Sequence, residues 1–267
     1  MSTKKKILLG VVVVAVLGVL GGYAYLLWFK EDAPPELNAT DLDAALGDTT
    51  PDAPVATDAP TATDGPVDTT DTTDTTATAD TAAPATDAPA VDTSDPSGTW
   101  NISTDSVLGY RVKEVLGGVD TEAAGRTNVV TGTLTIDGTS ATAAEFTVDM
   151  TTFESDSDRR DGQFSGRIMT VDEFPTSTFV LTAPIDFGKV PAEGEAITAS
   201  ATGDLTLRGV TRSVTFDLTA KLENGRIGVL GNIPILFSDY QIPDPSNGFA
   251  VVKDNGLLEF VLVFDKA

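Results

Sequence analysis

The sequence predicts an all-β fold, an antiparallel barrel of about eight strands, behind one N-terminal transmembrane helix and a disordered linker. Three observations carry this. From Gly98 onward, apolar and polar residues alternate in short runs broken by turn dipeptides such as Asn224-Gly225, the period-2 pattern of half-buried strands. Residues 7–29 form a run without a single charge, long enough to cross about 30 Å of hydrocarbon as a helix. Between the two, residues 31–97 consist mainly of Ala, Thr, Asp and Pro, with sixteen acidic residues and no Lys or Arg. The chain therefore divides into an anchor (1–30), a stalk (31–97) and a folded domain (98–267).

The anchor is oriented by charge. Lys4, Lys5 and Lys6 precede the apolar run and an acidic segment follows it, so the positive-inside rule puts the N-terminus in the cytoplasm and the folded domain in an extracytoplasmic compartment. Tyr23, Tyr25 and Trp28 suit the outer aromatic belt. The run exceeds the usual apolar core of a signal peptide and no small-x-small site ends it, which favours a retained anchor over a cleaved signal. A lipoprotein anchor needs a cysteine, and there is none. Gly18 and Gly22 have the G-x-x-x-G spacing through which two such helices approach, so a weak homodimer through the anchor is one expectation.

The stalk repeats ATDAP at Ala56–Pro60 and Ala85–Pro89 and carries a formal charge of −16. Low hydrophobicity and self-repulsion predict a disordered segment. As a flexible coil it would span about 45 Å, holding the folded domain off the membrane. Its Thr and Pro also offer sites for O-glycosylation.

Within 98–267, a strand is expected near 106–115. A hairpin follows in NVVTGTLTIDGTSATAAEFTVDM. There a two-residue turn at Asp137-Gly138 would set Val130 against Glu145. A three-residue turn through Thr139 sets it against Phe146, and the hydrophobic phase selects the second. A helical turn or two is expected around 165–173, then strands near 179–185 and 197–207. The clearest piece is SVTFDLTAKLENGRIGVLGNIPI. Val214, Phe216, Leu218, Ala220 and Leu222 share a face, and a turn at Asn224-Gly225 pairs Leu222 with Ile227, Ala220 with Val229 and Phe216 with Ile233. In FAVVKDNGLLEFVLVF, a turn at Asn255-Gly256 would set Val251 against Phe260 and Phe249 against Leu262. About eight such strands close most naturally into a barrel, which removes exposed edges and encloses one elongated ligand. An open sandwich also fits the pattern.

Composition narrows the chemistry. With no histidine and no cysteine in 267 residues, there is no Ser-His-Asp or Cys-His pair, no His-ligated zinc, no thiolate cluster and no disulfide framework. No cofactor is expected. Forty acidic against seventeen basic residues give a net charge of −23, which repels phosphate backbones and argues against nucleic acid as a partner.

One polar cluster stands out, Arg159, Arg160 and Asp161. As chemistry, Asp161 would be a general base with an arginine as anion clamp. Nothing nearby supplies a nucleophile or an evident second carboxylate, so the chain is not expected to be an enzyme. As structure, the Arg-Asp pair fixes a loop covering one barrel mouth, with Pro175 enforcing an extended approach to the strand at Phe179. A further reading has Arg159 or Arg160 meeting a polar or phosphate head group at that mouth. Asp156 and Asp158 could hold calcium, but the loop lacks EF-hand spacing and a solvated acidic loop is favoured. The in-phase apolar residues Tyr110, Phe146, Val148, Met150, Phe179, Leu207, Phe216, Leu218, Phe260 and Leu262 are the expected lining of a lumen. The same residues would equally fill a solid core.

The order of several motifs resembles a known family. These are Trp100 near the domain start, Arg160-Asp161, DEFPTSTFVL with Phe174-Pro175 and Phe179, GDLTLRGVTRSV with Gly203, Leu205, Leu207, Gly209 and Thr211, and finally FSDYQI. Together they resemble the YceI-like family over roughly 99–264. The resemblance implies a lipocalin-like barrel that binds a polyisoprenoid or related long apolar lipid outside the cytoplasm. The family often carries a histidine shortly after the Arg-Asp pair, where this chain has Gly162-Gln163, so no histidine contact to a head group is implied here.

Overall fold

The computed structural model describes residues 33–47, 95–248 and 250–267. In chain order the elements are α1 (Ala39–Leu46), β1 (Gly98–Ile102), β2 (Val107–Leu116), β3 (Val119–Thr127), β4 (Val130–Asp137), β5 (Ser140–Asp149), β6 (Glu154–Ser155), α2 (Asp158–Gln163), β7 (Thr176–Leu181), β8 (Ile185–Asp186), β9 (Ala196–Leu207), β10 (Val210–Glu223), β11 (Arg226–Leu236), β12 (Ala250–Val252) and β13 (Asn255–Lys266). Eight strands, in the order β1-β4-β5-β7-β9-β10-β11-β13, form an antiparallel wall. Pairing of β1 with the end of β13, Trp100 opposite Lys266 and Ile102 opposite Phe264, closes it into a barrel. Closure leaves neither β1 nor β13 as an open edge, the advantage expected of a barrel. β13 forks: its first half pairs instead with β2, which carries β3 and β12 beside it.

The hairpin register fits the sequence at one turn and departs from it at two. Asn224 and Gly225 both have positive φ, as a two-residue hairpin turn requires, and they pair Leu222 with Ile227 and Ala220 with Val229 as expected. The ladder ends at Leu218 opposite Gly231, short of Phe216 and Ile233. In the β4–β5 hairpin the turn lies at Gly138-Thr139, and a bulge beyond it puts Val130 opposite Val148 rather than Phe146. The bulge absorbs one extra residue, so Val130, Leu134 and Ile136 stay on the face of Val148, Ala144 and Ala141, all buried. The expected turn at Asn255-Gly256 does not form. Both residues lie inside β13, which is occupied by β11 on one side and β2 on the other, so Phe260 meets Gly231 and Leu108. Val251 pairs with Val115 on β2 instead, and Phe249 lies outside the described residues. The helical turn comes earlier than expected, as α2 running into a π turn over Phe164–Ile168.

The two ends of the barrel differ. At one, which we call the plugged end, α2 and residues 164–175 and 237–242 fold inward, burying Phe164, Met169, Val171, Phe237, Tyr240 and Ile242 in the main core. At the other, the open end, lie the turns at 138–139 and 224–225 and the loop 187–195.

The expectation of a disordered stalk over 31–97 is corrected for residues 33–47, which form an ordered strap across the outside of the barrel. Asn38 caps α1 in a capping box: its side chain accepts from the Thr40 N–H at 2.8 Å and its own N–H donates to Asp41 at 2.9 Å. Leu42 and Leu46 are buried to 1% exposure against Val261 and Val263. Gly228 lets them in, since a Cβ there would sit 2.5 Å from Leu42 and 2.8 Å from Leu46. Polar contacts complete the strap. The Leu46 carbonyl accepts from Asn224 at 3.1 Å and the Ala45 carbonyl from Arg226 at 3.2 Å. Lys221 pairs with Asp43 at 2.8 Å; burial works against its charge, but the Asp43 and Glu223 carboxylates hold its pKa well above the ordinary lysine range. Among the described residues no helix is long and apolar enough to cross a membrane. Residues 7–29, Gly18 and Gly22 included, and the stalk residues 48–94 lie outside the described residues.

Candidate functional site

Inward-pointing side chains of seven of the eight barrel strands, all but β1, surround a cavity of about 180 Å³. Leu134, Ile136, Ala144, Val148, Leu205, Leu218 and Leu262 form much of its wall. Five phenylalanines form a connected chain along it. Phe264 to Phe146 is 5.7 Å between ring centres, Phe146 to Phe179 is 6.3 Å, Phe179 to Phe216 is 5.6 Å and Phe216 to Phe260 is 5.8 Å, the last two edge-on. Two glycines, Gly231 on the strand beside Phe260 and Gly203 on the strand beside Phe179, let these rings lie flat against the wall. A Cβ on Gly231 would come within 2.6 Å of the Phe260 ring, and one on Gly203 would run into Phe179. Without those side chains the rings stay clear of the axis, which keeps the lumen open. An engineered apolar cavity of roughly 150 Å³ stays dry and accepts benzene, so this space suits an apolar group and not water.

Most of the sequence-predicted lining residues meet here. Phe146, Val148, Met150, Phe179, Leu207, Phe216, Leu218, Phe260 and Leu262 all border the cavity. Tyr110 does not: it lies in the plug, stacked on Phe164 at 4.8 Å and beside Phe153 at 5.8 Å. Burial there pushes its phenol well above the usual tyrosine range.

Arg159, Arg160 and Asp161 are likewise not at the open mouth. They lie on α2, at the plugged end, and none borders the cavity. Asp161 accepts from the backbone N–H of Ser155 at 3.0 Å and from its hydroxyl at 2.5 Å, so it ties α2 to β6. Arg160 pairs with Asp156 and, at 3.9 Å, with Glu114. This is the loop-fixing role. The mouth itself consists of Pro96, Gly138, Thr139, Phe187, Lys189, Val190 and Pro191, with Lys189 paired to Glu195 across the rim. Sequence reasoning passed over this set because TAPIDFGKVPAEGE looks like a plain Gly/Pro-rich connection. Its length between two strands is the one signal that could have drawn attention to it. Among the described residues no cluster of acidic side chains could hold a metal ion.

The profile of the YceI-like domain matches residues 100–264. The chain belongs to the YceI-like family. A search of curated proteins finds no match. Among solved structures, a polyisoprenoid binding domain from Saccharophagus degradans, implicated in plant cell wall breakdown, is similar at 18% identity and a TM-score of 0.52, covering 63% of this chain and 98% of that one. BcnA of Burkholderia cenocepacia is similar at 22% identity and a TM-score of 0.49, covering 61% and 98%. The YCEI protein of Campylobacter jejuni is similar at 15% identity and a TM-score of 0.42, covering 54% and 85%. At these identities the likeness is one of fold. In this YceI-like chain the strap precedes the family domain and lies wholly outside the matched range.

Proposed function

We propose that this barrel is a binding module, not an enzyme, and that it holds the tail of a polyisoprenoid or similar long apolar lipid, on a domain tethered to the membrane and facing the extracytoplasmic side. The observation that supports it most is the apolar, phenylalanine-lined cavity that runs toward one end of a closed barrel, in a chain of the YceI-like family. Burial of a tail there is favourable by about 25 cal/mol per Å² of apolar surface, less the cost of ordering the chain, so affinity comes from many weak contacts. A volume of about 180 Å³ holds only a short stretch of such a tail. A longer one requires the phenylalanine rings to turn. With Arg159 and Arg160 at the far end, a head group is left at the rim near Thr139 and Lys189. The S. degradans neighbour, described as a polyisoprenoid binding domain, points the same way.

The test is native mass spectrometry of a chain starting at Ala33, purified without detergent. Starting at Gly98 instead would strip the strap from Val261 and Val263. A bound mass matching an apolar lipid, or uptake of added polyprenyl lipid, is expected. A barrel that arrives empty and takes up none would show the lumen to be a packed core.

A further inference from the structure

We propose that the plugged end of the barrel rests on the bilayer, with Leu236 and Val251 as its contacts, and that the open mouth is turned away from that surface. This rests on the reading of residues 7–29 as a retained membrane helix. The strap supplies the geometry. Only Lys30, Glu31 and Asp32 separate Phe29 from Ala33, and from there the chain is held. The Pro34 carbonyl accepts from Arg111 at 2.6 Å and the Pro35 carbonyl from Arg126 at 2.5 Å. The Leu37 N–H donates to Glu259 at 3.1 Å. Glu259 is itself 1% exposed, between Arg126 at 3.2 Å and Arg111 at 3.4 Å. Four Cα steps reach at most ~14 Å. Wherever the span ends, Ala33 is therefore close to the membrane.

Ala33 sits beside Lys113, Val115 and Lys253, on the rim of the plugged end. That rim is where large apolar side chains reach solvent. Val251 is 63% exposed and Leu236 51%. They are neighbours through β13: Leu236 pairs with Asn255, the Phe237 N–H donates to the Asp254 carbonyl and the Lys253 N–H to the Lys113 carbonyl. Val129, 43% exposed, lies at the same end just before β4. The tether thus delivers to the bilayer the part of the surface that carries three of the four large hydrophobics exposed among the described residues. Charges at the rim are mixed, Lys113 and Lys253 against Glu114, Asp120, Glu122 and Asp254, so the contact does not depend on anionic lipid. The mouth lies at the other end of β13. Twelve residues at about 3.4 Å each, shortened by barrel tilt, put it about 30 Å away. Residues 48–94 then link two points on the barrel, Gly47 and Asp95, and do not set its height above the membrane.

The absence of cysteine makes single-site labelling direct. The full chain carrying Val251→Cys, or Lys189→Cys at the mouth, is labelled with a donor fluorophore and reconstituted into phosphatidylcholine vesicles whose head groups carry an acceptor. Energy transfer several-fold higher from position 251 than from 189 is expected. Adding Leu37→Asp, Leu42→Asp and Leu46→Asp, which put a carboxylate beside buried Glu259 and charge every buried leucine of the strap, releases the chain from Ala33 to Asp95 as added tether and should bring the transfer from 251 down to the level of 189. Protein that floats with the vesicles but gives equal transfer from both sites overturns the orientation alone. Protein that does not float with them overturns the membrane helix and the orientation with it.

Discussion

Truncating Phe216 separates a ligand chamber from a packed core. Phe216 is 8% exposed and meets Phe179 and Phe260 edge-on at 5.6 and 5.8 Å. Phe216→Ala should cost about 3–5 kcal/mol, including about 0.5–1.5 kcal/mol for each aromatic contact, and it enlarges a cavity already near 180 Å³. The assay is urea unfolding of a chain starting at Ala33, with and without a polyprenyl lipid. A ligand present at a hundred times its Kd raises stability by about 2.7 kcal/mol, so the wild type should gain that much. The variant has more room for the tail and should gain at least as much, recovering part of its loss. A loss of about 3–5 kcal/mol with no gain from lipid in either chain would refute the reasoning, because the lumen would then be filled by its own side chains.

Three other predictions follow from the geometry. Glu259→Ala leaves Arg111, which is 6% exposed, without its buried carboxylate; unfolding by urea should show a loss of about 3–5 kcal/mol, and limited proteolysis should cut the strap first. Asp161→Ala removes the acceptor of two Ser155 hydrogen bonds and should cost about 1.5–3 kcal/mol while leaving lipid affinity, read by native mass spectrometry, unchanged, since α2 is far from the mouth. Tyr110 is held neutral chiefly by burial, so its folded pKa lies above its unfolded value near 10. Its contribution is complete below about pH 10 and is lost as pH rises toward the folded value, so Tyr110→Phe should flatten the alkaline fall in the urea midpoint above that pH.

Much of the fold was legible because a strand with one buried face writes its phase into the sequence. β10 and β11 are the best case. The alternation from Val214 to Leu222 and an Asn-Gly turn whose two residues both take positive φ left one register in which every apolar residue met an apolar residue or a glycine. The last hairpin shows the limit. The alternation Val251, Phe260, Leu262 was as good, but it says only that each strand has an inner face and not which strand is its neighbour. β2, more than a hundred residues away, occupies that place. β3 has little apolar content, VDTEAAGRT, and left no trace. Its Glu122 and Arg126 serve the buried cluster with Arg111 and Glu259.

The strap was hidden for a different reason. Averaged over 31–97, composition is that of a disordered segment, yet Leu37, Leu42 and Leu46 sit among a capping Asn38 and Asp41 within fifteen residues. A second clue lay in β13, where EFVLVF is apolar on both faces. Such a run needs cover on each side: the lumen takes Phe260, Leu262 and Phe264, and the strap takes Val261 and Val263.

By itself the sequence determined the all-β class, the inward phase of most strands and the exclusion of histidine and cysteine chemistry, and nine of the ten residues it marked as lumen lining do border the cavity. Each of these follows from local periodicity or composition, which are properties of a few neighbouring residues. Only the tertiary structure decided which end of the barrel is open, that Arg159, Arg160 and Asp161 lie at the closed one, that Tyr110 belongs to the plug, and that part of the supposed stalk is bound to the wall. Those depend on contacts between residues far apart in the chain, whose pairing is set by shape and burial across the whole barrel and leaves no periodic mark in any one segment.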